Sequence, residues 1–207
     1  MNSRISGLYA ITPDLDDTQK LITQVRLALQ GGARWLQYRN KSADQSLKLQ
    51  QAKALLSVCR EFAVPLIMND SLDMVLETDA AGAHLGVQDC SIPDARIRLG
   101  KNKIIGASCY DDLERALKCQ AQGADYVAFG SFYPSSVKPD APRASLALLR
   151  EAKARLSVPV VAVGGISLQN AGLLIDAGAD AVGVISALFN APDIMETAKK
   201  FTALFAS

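Results

Sequence analysis

The stretch Val158-Pro159-Val160-Val161-Ala162-Val163-Gly164-Gly165-Ile166 is β-branched, apolar at successive positions, and stops at a glycine pair. Alternation marks a half-buried strand, whereas an unbroken apolar run reads as a parallel strand buried on both faces. Glycine at the exit lets backbone N–H groups approach a bound oxyanion with no Cβ in the way. Further on, Ala181-Val182-Gly183-Val184-Ile185-Ser186 does something similar. In (β/α)8 barrels the loops after the last two strands often build a phosphate site. The two stretches therefore predict such a barrel if the rest of the chain supplies its other strands.

Working outward, eight β-like runs recur, at 7–12, 34–39, 65–69, 83–87, 104–108, 126–130, 159–164 and 181–185. Helical spacing separates them. Residues 16–30 place Leu21, Val25, Ala28 and Leu29 on one face, and 47–62, 111–122, 145–156, 168–177 and 193–205 repeat the pattern. Shorter helical segments fall at 72–78 and 93–99. Asp111, Ser145 and Ser167 read as N-caps. Gly31, Gly82, Gly123 and Gly178 read as helix stops. Gly-Ala-Asp occurs at 123–125 and 178–180, each time just before a strand. The expectation is an α/β chain forming a single (β/α)8 TIM barrel over 1–207. An open doubly wound sheet is disfavoured, because G-x-G-x-x-G is missing after Thr12.

A chain of 207 residues permits one domain with a substantial core. A net charge of +1 and no long basic run argue against nucleic acid or an anionic membrane as partner. No apolar run approaches the roughly 20 residues of a membrane span, and the N-terminus lacks a signal-peptide pattern. Cys59, Cys90, Cys109 and Cys119 show neither CxxC nor zinc spacing, as expected of reduced thiols in a cytoplasmic protein. Oligomeric state is left open, a homo-oligomer included.

The strand ends carry the chemistry. In an extended chain Gln37, Arg39 and Lys41 share one side. An amide and two cations suit a polyanion bearing a hydrogen-bonding ring, or form an ordinary solvated strand end. Asn69-Asp70 ends strand three and Asp89 follows strand four. Neighbouring strands lie about 4.8 Å apart, so the two aspartates can reach one hard cation, Mg2+ being favoured; alternatively each caps a helix. Ser108 could donate to a phosphate or cap the next turn. His84, the only histidine, reads as a core or bottom-face residue at the start of strand four. The segment from Pro134 to Arg143 reads as a lid with Lys138 and two hydroxyls, or as a surface loop.

In this order, Gln37-Tyr38-Arg39-Asn40-Lys41, Asn69-Asp70, Asp89, Ser108, Tyr133-Pro134-Ser135-Ser136-Val137-Lys138, Gly164-Gly165-Ile166 and Val184-Ile185-Ser186 resemble the motifs of thiamine phosphate synthases. The resemblance implies a transferase of thiamine biosynthesis. It would join 4-amino-2-methyl-5-pyrimidinylmethyl diphosphate to a thiazole phosphate, releasing pyrophosphate, with CO2 lost when the thiazole is carboxylated. It implies that Gln37, Arg39, Lys41, Asn69, Ser108 and Lys138 hold the pyrimidine diphosphate, within a segment that includes Tyr38 and Asn40. Asp70 and Asp89 would hold Mg2+. Ser135, Ser136, Val137, Gly165, Ile185 and Ser186 would hold the thiazole phosphate. Arg39, Lys41, Ser108 and Lys138 are the catalytic candidates.

The chain departs from the family pattern at Asn40, where glutamate is usual, at Val137, where threonine is usual, and at Tyr38, where an aliphatic residue is usual. Asn40 faces away from its neighbours, so little loss is expected there. Val137 cannot donate a hydrogen bond, worth roughly 1–1.5 kcal/mol. Tyr38 has no derivable consequence. The rival readings are a thiazole tautomerase-like sister enzyme, an unrelated phosphate-binding isomerase or epimerase, and a non-catalytic protein that binds thiamine precursors. Ser108 in place of histidine, and the lack of a convincing acid–base pair, argue against the first two.

Overall fold

The computed structural model describes residues 5–134 and 143–206. Its strands are β1 (Gly7–Ile11), β2 (Trp35–Tyr38), β3 (Leu66–Asn69), β4 (Gly82–Leu85), β5 (Ile104–Tyr110), β6 (Tyr126–Phe129), β7 (Val160–Val163) and β8 (Ala181–Val184). They pair in parallel in chain order, and β8 returns to β1 to close the barrel through Gly7 with Ala181 and Ala10 with Val184. The helices are α1 (Thr18–Gln30), α2 (Gln45–Glu61), α3 (Leu72–Thr78), α4 (Ile92–Leu99), α5 (Leu113–Ala121), α6 (Leu146–Arg155), α7 (Ala171–Asp176), α8 (Ser186–Phe189) and α9 (Ile194–Ala203). The expected (β/α)8 architecture is therefore present.

The unbroken apolar runs now have a physical reason: alternate residues of each strand serve two different cores. Leu8, Leu36, Leu66, Ala107, Val127 and Val182 point outward into the apolar layer beneath the helices. Tyr9, Trp35, Ile67, Tyr126, Val161 and Ala181 point inward and fill the barrel. Fully burying an apolar side chain contributes about 1.5–3 kcal/mol, so neither face tolerates a polar residue lacking a partner. Tyr9 meets Trp35 edge-on at 6.4 Å and Tyr126 edge-on at 6.1 Å. Tyr126 leans across Gly106, where an added Cβ would overlap the phenol ring.

The repeated Gly-Ala-Asp acts as a staple. Asp125, just before β6, accepts from Ile105 N and from Arg96 of α4, both at 2.7 Å. Asp180, just before β8, accepts from Val160 N at 2.8 Å and from Lys153 of α6 at 2.5 Å. Each aspartate ties the start of the preceding strand to a cation on the helix before that strand.

Some local expectations need correction. Asp112, not Asp111, caps α5 by accepting from Arg115 N. Asn170, not Ser167, precedes α7, and its side chain instead accepts from Ser167 N. Gly82 opens β4 and stops no helix; α3 ends at Asp79 in the left-handed region. Ser145 caps α6 as expected. The four-residue α8 is too short to show a helical period.

Candidate active site

The strand ends open into a cavity of about 520 Å3 lined by Gln37, Arg39, Lys41, Asn69, Asp70, Asp89 and Ser108. It shares Ile11, Val163, Gly164 and Ile185 with a neighbouring pocket of about 240 Å3, which also takes in Gly165 and Ser186. One connected hollow thus gathers every candidate inside the described residues except Tyr38 and Asn40. Ser135, Ser136, Val137 and Lys138 lie outside the described residues, as does most of the expected lid.

Strand alternation places the first group. Gln37, Arg39 and Lys41 face the cavity, whereas Tyr38 and Asn40 are buried on the outer side. There the Tyr38 hydroxyl donates to Gln51 Oε1 of α2 at 2.8 Å. Asn40 Nδ2 donates to the same oxygen at 3.1 Å and to Leu15 O at 3.0 Å. Gln51 Nε2 donates to Leu15 O at 2.8 Å. Tyr38 and Asn40, expected within the substrate-binding segment, are thus turned from the cavity toward the β1–α1 loop. The consequence of Tyr38, underivable from sequence, is this network.

That loop carries a residue the sequence reasoning missed. Asp14 Oδ1 accepts from Arg39 Nη1 at 2.9 Å and from Lys41 N at 2.7 Å. Thr12 Oγ1 donates to Arg39 O at 2.7 Å and accepts from Arg39 N at 2.8 Å. The Arg39 side chain is only 11% exposed, so its guanidinium is oriented before any ligand arrives. A carboxylate just past strand one, beside the cation-bearing strand two, was the available signal.

Asp70 and Asp89 come together at the adjoining wall, past the ends of β3 and β4. Neither is a helix cap: Ser71 caps α3 and Ser91 caps α4. Asp89 Oδ2 accepts from Gly86 N at 2.6 Å. Burial pushes the Asp70 carboxyl above the usual carboxylate range; the charge of Asp89 and a hydrogen bond with it add to this, and Lys41 opposes it. Lys41 Nζ lies 3.9 Å from Asp70 Oδ2. Asp70 sits at φ 63°, a left-handed conformation that aspartate tolerates better than most residues. Among the described residues no group of three or more His, Cys, Asp or Glu forms a metal centre. A paired, partly desolvated set of two carboxylates still fits an ion that completes its shell with water and ligand phosphate.

Ser108 lies within β5, before a bulge that shifts the register between Ser108 and Tyr110. Arg115 Nε donates to Ser108 O at 2.9 Å. His84 is a correction. It lines the cavity, because barrel stagger sets it level with Asn69, the last residue of β3. Its Nδ1 lies 3.0 Å from the Tyr126 hydroxyl, with the two rings stacked at 5.7 Å. On the far side Gly165 adopts φ 67°. A Cβ there would fall 2.6 Å from Tyr133 O, so the backbone turn at this wall requires glycine.

No helix among the described residues is long and apolar enough to cross a membrane. Residues 8–188 match the family model described as thiamine monophosphate synthase. The chain is 52% identical to the thiamine-phosphate synthase of Nitrosomonas eutropha, over 98% of this chain and 95% of that one. It is 53% identical to the thiamine-phosphate synthase of Methylobacillus flagellatus, over 97% and 96%. Among solved structures, thiamine phosphate pyrophosphorylase from Pyrococcus furiosus superposes with a TM-score of 0.88 at 35% identity, covering 97% of this chain and 95% of that one. With nearly the whole barrel matched, the chain belongs to the thiamine monophosphate synthase family.

Proposed function

We propose that this chain, a transferase of thiamine biosynthesis by its family, joins 4-amino-2-methyl-5-pyrimidinylmethyl diphosphate to a thiazole phosphate or its carboxylated form. The products are thiamine monophosphate and pyrophosphate. One observation carries the reading. Two cations, Arg39 and Lys41, share a cavity with the carboxylate pair Asp70 and Asp89, and that cavity opens into a glycine-walled pocket.

The chemistry requires charge separation rather than proton abstraction. The bond from the pyrimidinylmethyl carbon to the diphosphate oxygen breaks, and its electron pair leaves with pyrophosphate. The thiazole nitrogen lone pair then forms the new C–N bond. Arg39, held by Asp14, and Lys41 present positive charge to the departing group, and preorganised donors of this kind are worth about 10^2–10^3 in rate each. Ser108 adds a hydroxyl, and Lys138 a further cation from outside the described residues. Asp70 and Asp89 would hold Mg2+, which neutralises charge on the diphosphate. Gln37 and Asn69 hold the pyrimidine, while Gly165, Ile185 and Ser186, with Ser135, Ser136 and Val137, take the thiazole phosphate. The barrel serves as one domain, in a reducing, cytoplasmic setting suited to four free thiols.

The test is pyrophosphate release. Stoichiometric release is expected only with both substrates and Mg2+ present. No release, or release without the thiazole phosphate, would overturn the coupling reaction.

A further inference from the structure

Below the cations and carboxylates, a chain of hydrogen bonds crosses the barrel floor. Gln37 Nε2 of β2 donates to the Tyr9 hydroxyl of β1 at 2.9 Å. Tyr9 Oη and Tyr126 Oη of β6 are 2.9 Å apart, and Tyr126 Oη lies 3.0 Å from His84 Nδ1 of β4. Tyr9 and Tyr126 are each 1% exposed and Gln37 is 3% exposed. Burial pushes both phenols up, so both stay protonated as donors. Each hydroxyl has a single hydrogen to give, and the bonds must therefore all run one way.

With Gln37 Nε2 donating to Tyr9, the Tyr9 proton goes to Tyr126 and the Tyr126 proton to His84 Nδ1. The imidazole must then be the neutral tautomer with hydrogen on Nε2. The opposite polarity needs hydrogen on Nδ1, and it would turn the Gln37 amide over so that Oε1 accepts from Tyr9. Mixing the two leaves a buried hydroxyl hydrogen without an acceptor, which costs the full desolvation of that group.

We propose that His84, held with its hydrogen on Nε2 and acting through Tyr126 and Tyr9, is a positioning residue that fixes which way round the Gln37 amide faces the cavity, and so selects an aminopyrimidine over the matching oxopyrimidine. This rests on the reading above in which Gln37 meets the pyrimidine. In the polarity with Gln37 Nε2 donating to Tyr9, Oε1 and the second Nε2 hydrogen remain for the ligand. An aminopyrimidine offers an N–H donor beside a ring-nitrogen acceptor, the complement of that pair. An oxopyrimidine offers a carbonyl acceptor beside a ring N–H, the reverse pattern. A site whose buried polar groups are matched to one pattern rejects the other strongly.

The test measures binding, because the two rings also differ in reactivity. Dissociation constants are determined by calorimetry with Mg2+ for non-hydrolysable diphosphonate analogues carrying the 4-amino or the 4-oxo ring. Wild type is expected to prefer the amino form by about 10^2-fold or more. Tyr126→Phe and Tyr9→Phe keep the ring packing but cut the relay, and each should bring the preference below about tenfold, chiefly by gaining affinity for the oxo form. His84→Asn keeps an acceptor near the Nδ1 position and should retain selectivity; His84→Leu should lose it. Since the chain holds a single histidine, 15N spectra of labelled protein report its tautomer directly. The expected result is hydrogen on Nε2, with the Nδ1 signal moving in Tyr126→Phe. Unchanged preference in both phenylalanine variants, equal behaviour of the two His84 variants, or hydrogen on Nδ1 would each overturn the relay while leaving the coupling reaction intact. A wild type that binds neither analogue, or fails to release pyrophosphate, overturns the pyrimidine reading itself.

Discussion

Replacing Asp70 by Asn removes one of two like charges that the cavity holds together. Asn is the gentlest choice at φ 63°, because its short polar side chain tolerates the left-handed region. Two unit charges 4 Å apart repel by about 4 kcal/mol at an effective dielectric of 20. The Asp70 side chain is 38% exposed and is paired with Lys41 at 3.9 Å. Screening and the lost ion pair therefore leave a net gain of about 1 kcal/mol, or a rise in Tm of about 2–4 °C for a chain of this size. The raised carboxyl of Asp70 favours the folded state in full below the ordinary carboxylate value of about 4, and that contribution is lost as pH rises through the raised value. The advantage of Asp70→Asn is thus a neutral-pH advantage that fades toward about pH 4.

Mg2+ should reverse the order. A cation binding only the native state stabilises wild type by about 2.7 kcal/mol at a hundredfold excess over its Kd, and the variant would lack one of the two proposed ligands. Thermal unfolding in EDTA, and in Mg2+ with inorganic pyrophosphate, checks both halves. The expected result is a crossover: the variant melts higher without metal, wild type higher with it. A variant less stable in EDTA at neutral pH, or equal Mg2+ shifts for both proteins, refutes the reasoning.

Other substitutions separate orientation from packing. Asp14→Ala removes two hydrogen bonds to Arg39 and Lys41, and kcat/KM for the pyrimidine diphosphate should fall by about 10- to 100-fold, the equivalent of one charge-assisted bond. Gly165→Ala forces a Cβ against Tyr133 O in a left-handed conformation costing about 1–2 kcal/mol; the KM for thiazole phosphate should rise while that for the diphosphate stays put. Asn40→Glu puts an acceptor-only group against Gln51 Oε1 and Leu15 O, and should lower stability by about 1–3 kcal/mol in a urea melt. Asp125→Ala breaks a staple remote from the cavity. Stability should drop by a similar 1–3 kcal/mol, roughly, with kcat little changed at 25 °C; a large kcat loss in fully folded protein would place Asp125 in the chemistry.

The barrel was legible because unbroken apolar strands can be buried on both faces only between a filled interior and a helical layer. The mouth was legible because β periodicity sends Gln37, Arg39 and Lys41 one way, and because strand ends three and four carry carboxylates. His84 was misplaced because a linear reading sets every strand start at the bottom. The strands are staggered around the barrel, so the third residue of β4 stands level with the last residue of β3. Asp14 was missed because its role depends on a contact between loops rather than on its own strand. The caps of α5 and α7 slipped by one and three residues because each of the two stretches, Asp111-Asp112 and Ser167-Leu168-Gln169-Asn170, contains more than one candidate.

The outer face of β2 shows why local sequence comparison undervalues some positions. Asn40 alternates away from the cavity, and on that ground its difference from glutamate appeared to carry little loss. Yet Asn40, Tyr38 and Gln51 converge on one carbonyl oxygen of the β1–α1 loop, directly or through each other. That same loop delivers Asp14 to Arg39. The cavity side and the outer side of β2 and its exit segment are thereby coupled through a neighbouring loop. A polar residue buried behind the wall can only be read correctly once its partners are known, because its hydrogen bonds must be satisfied as a set.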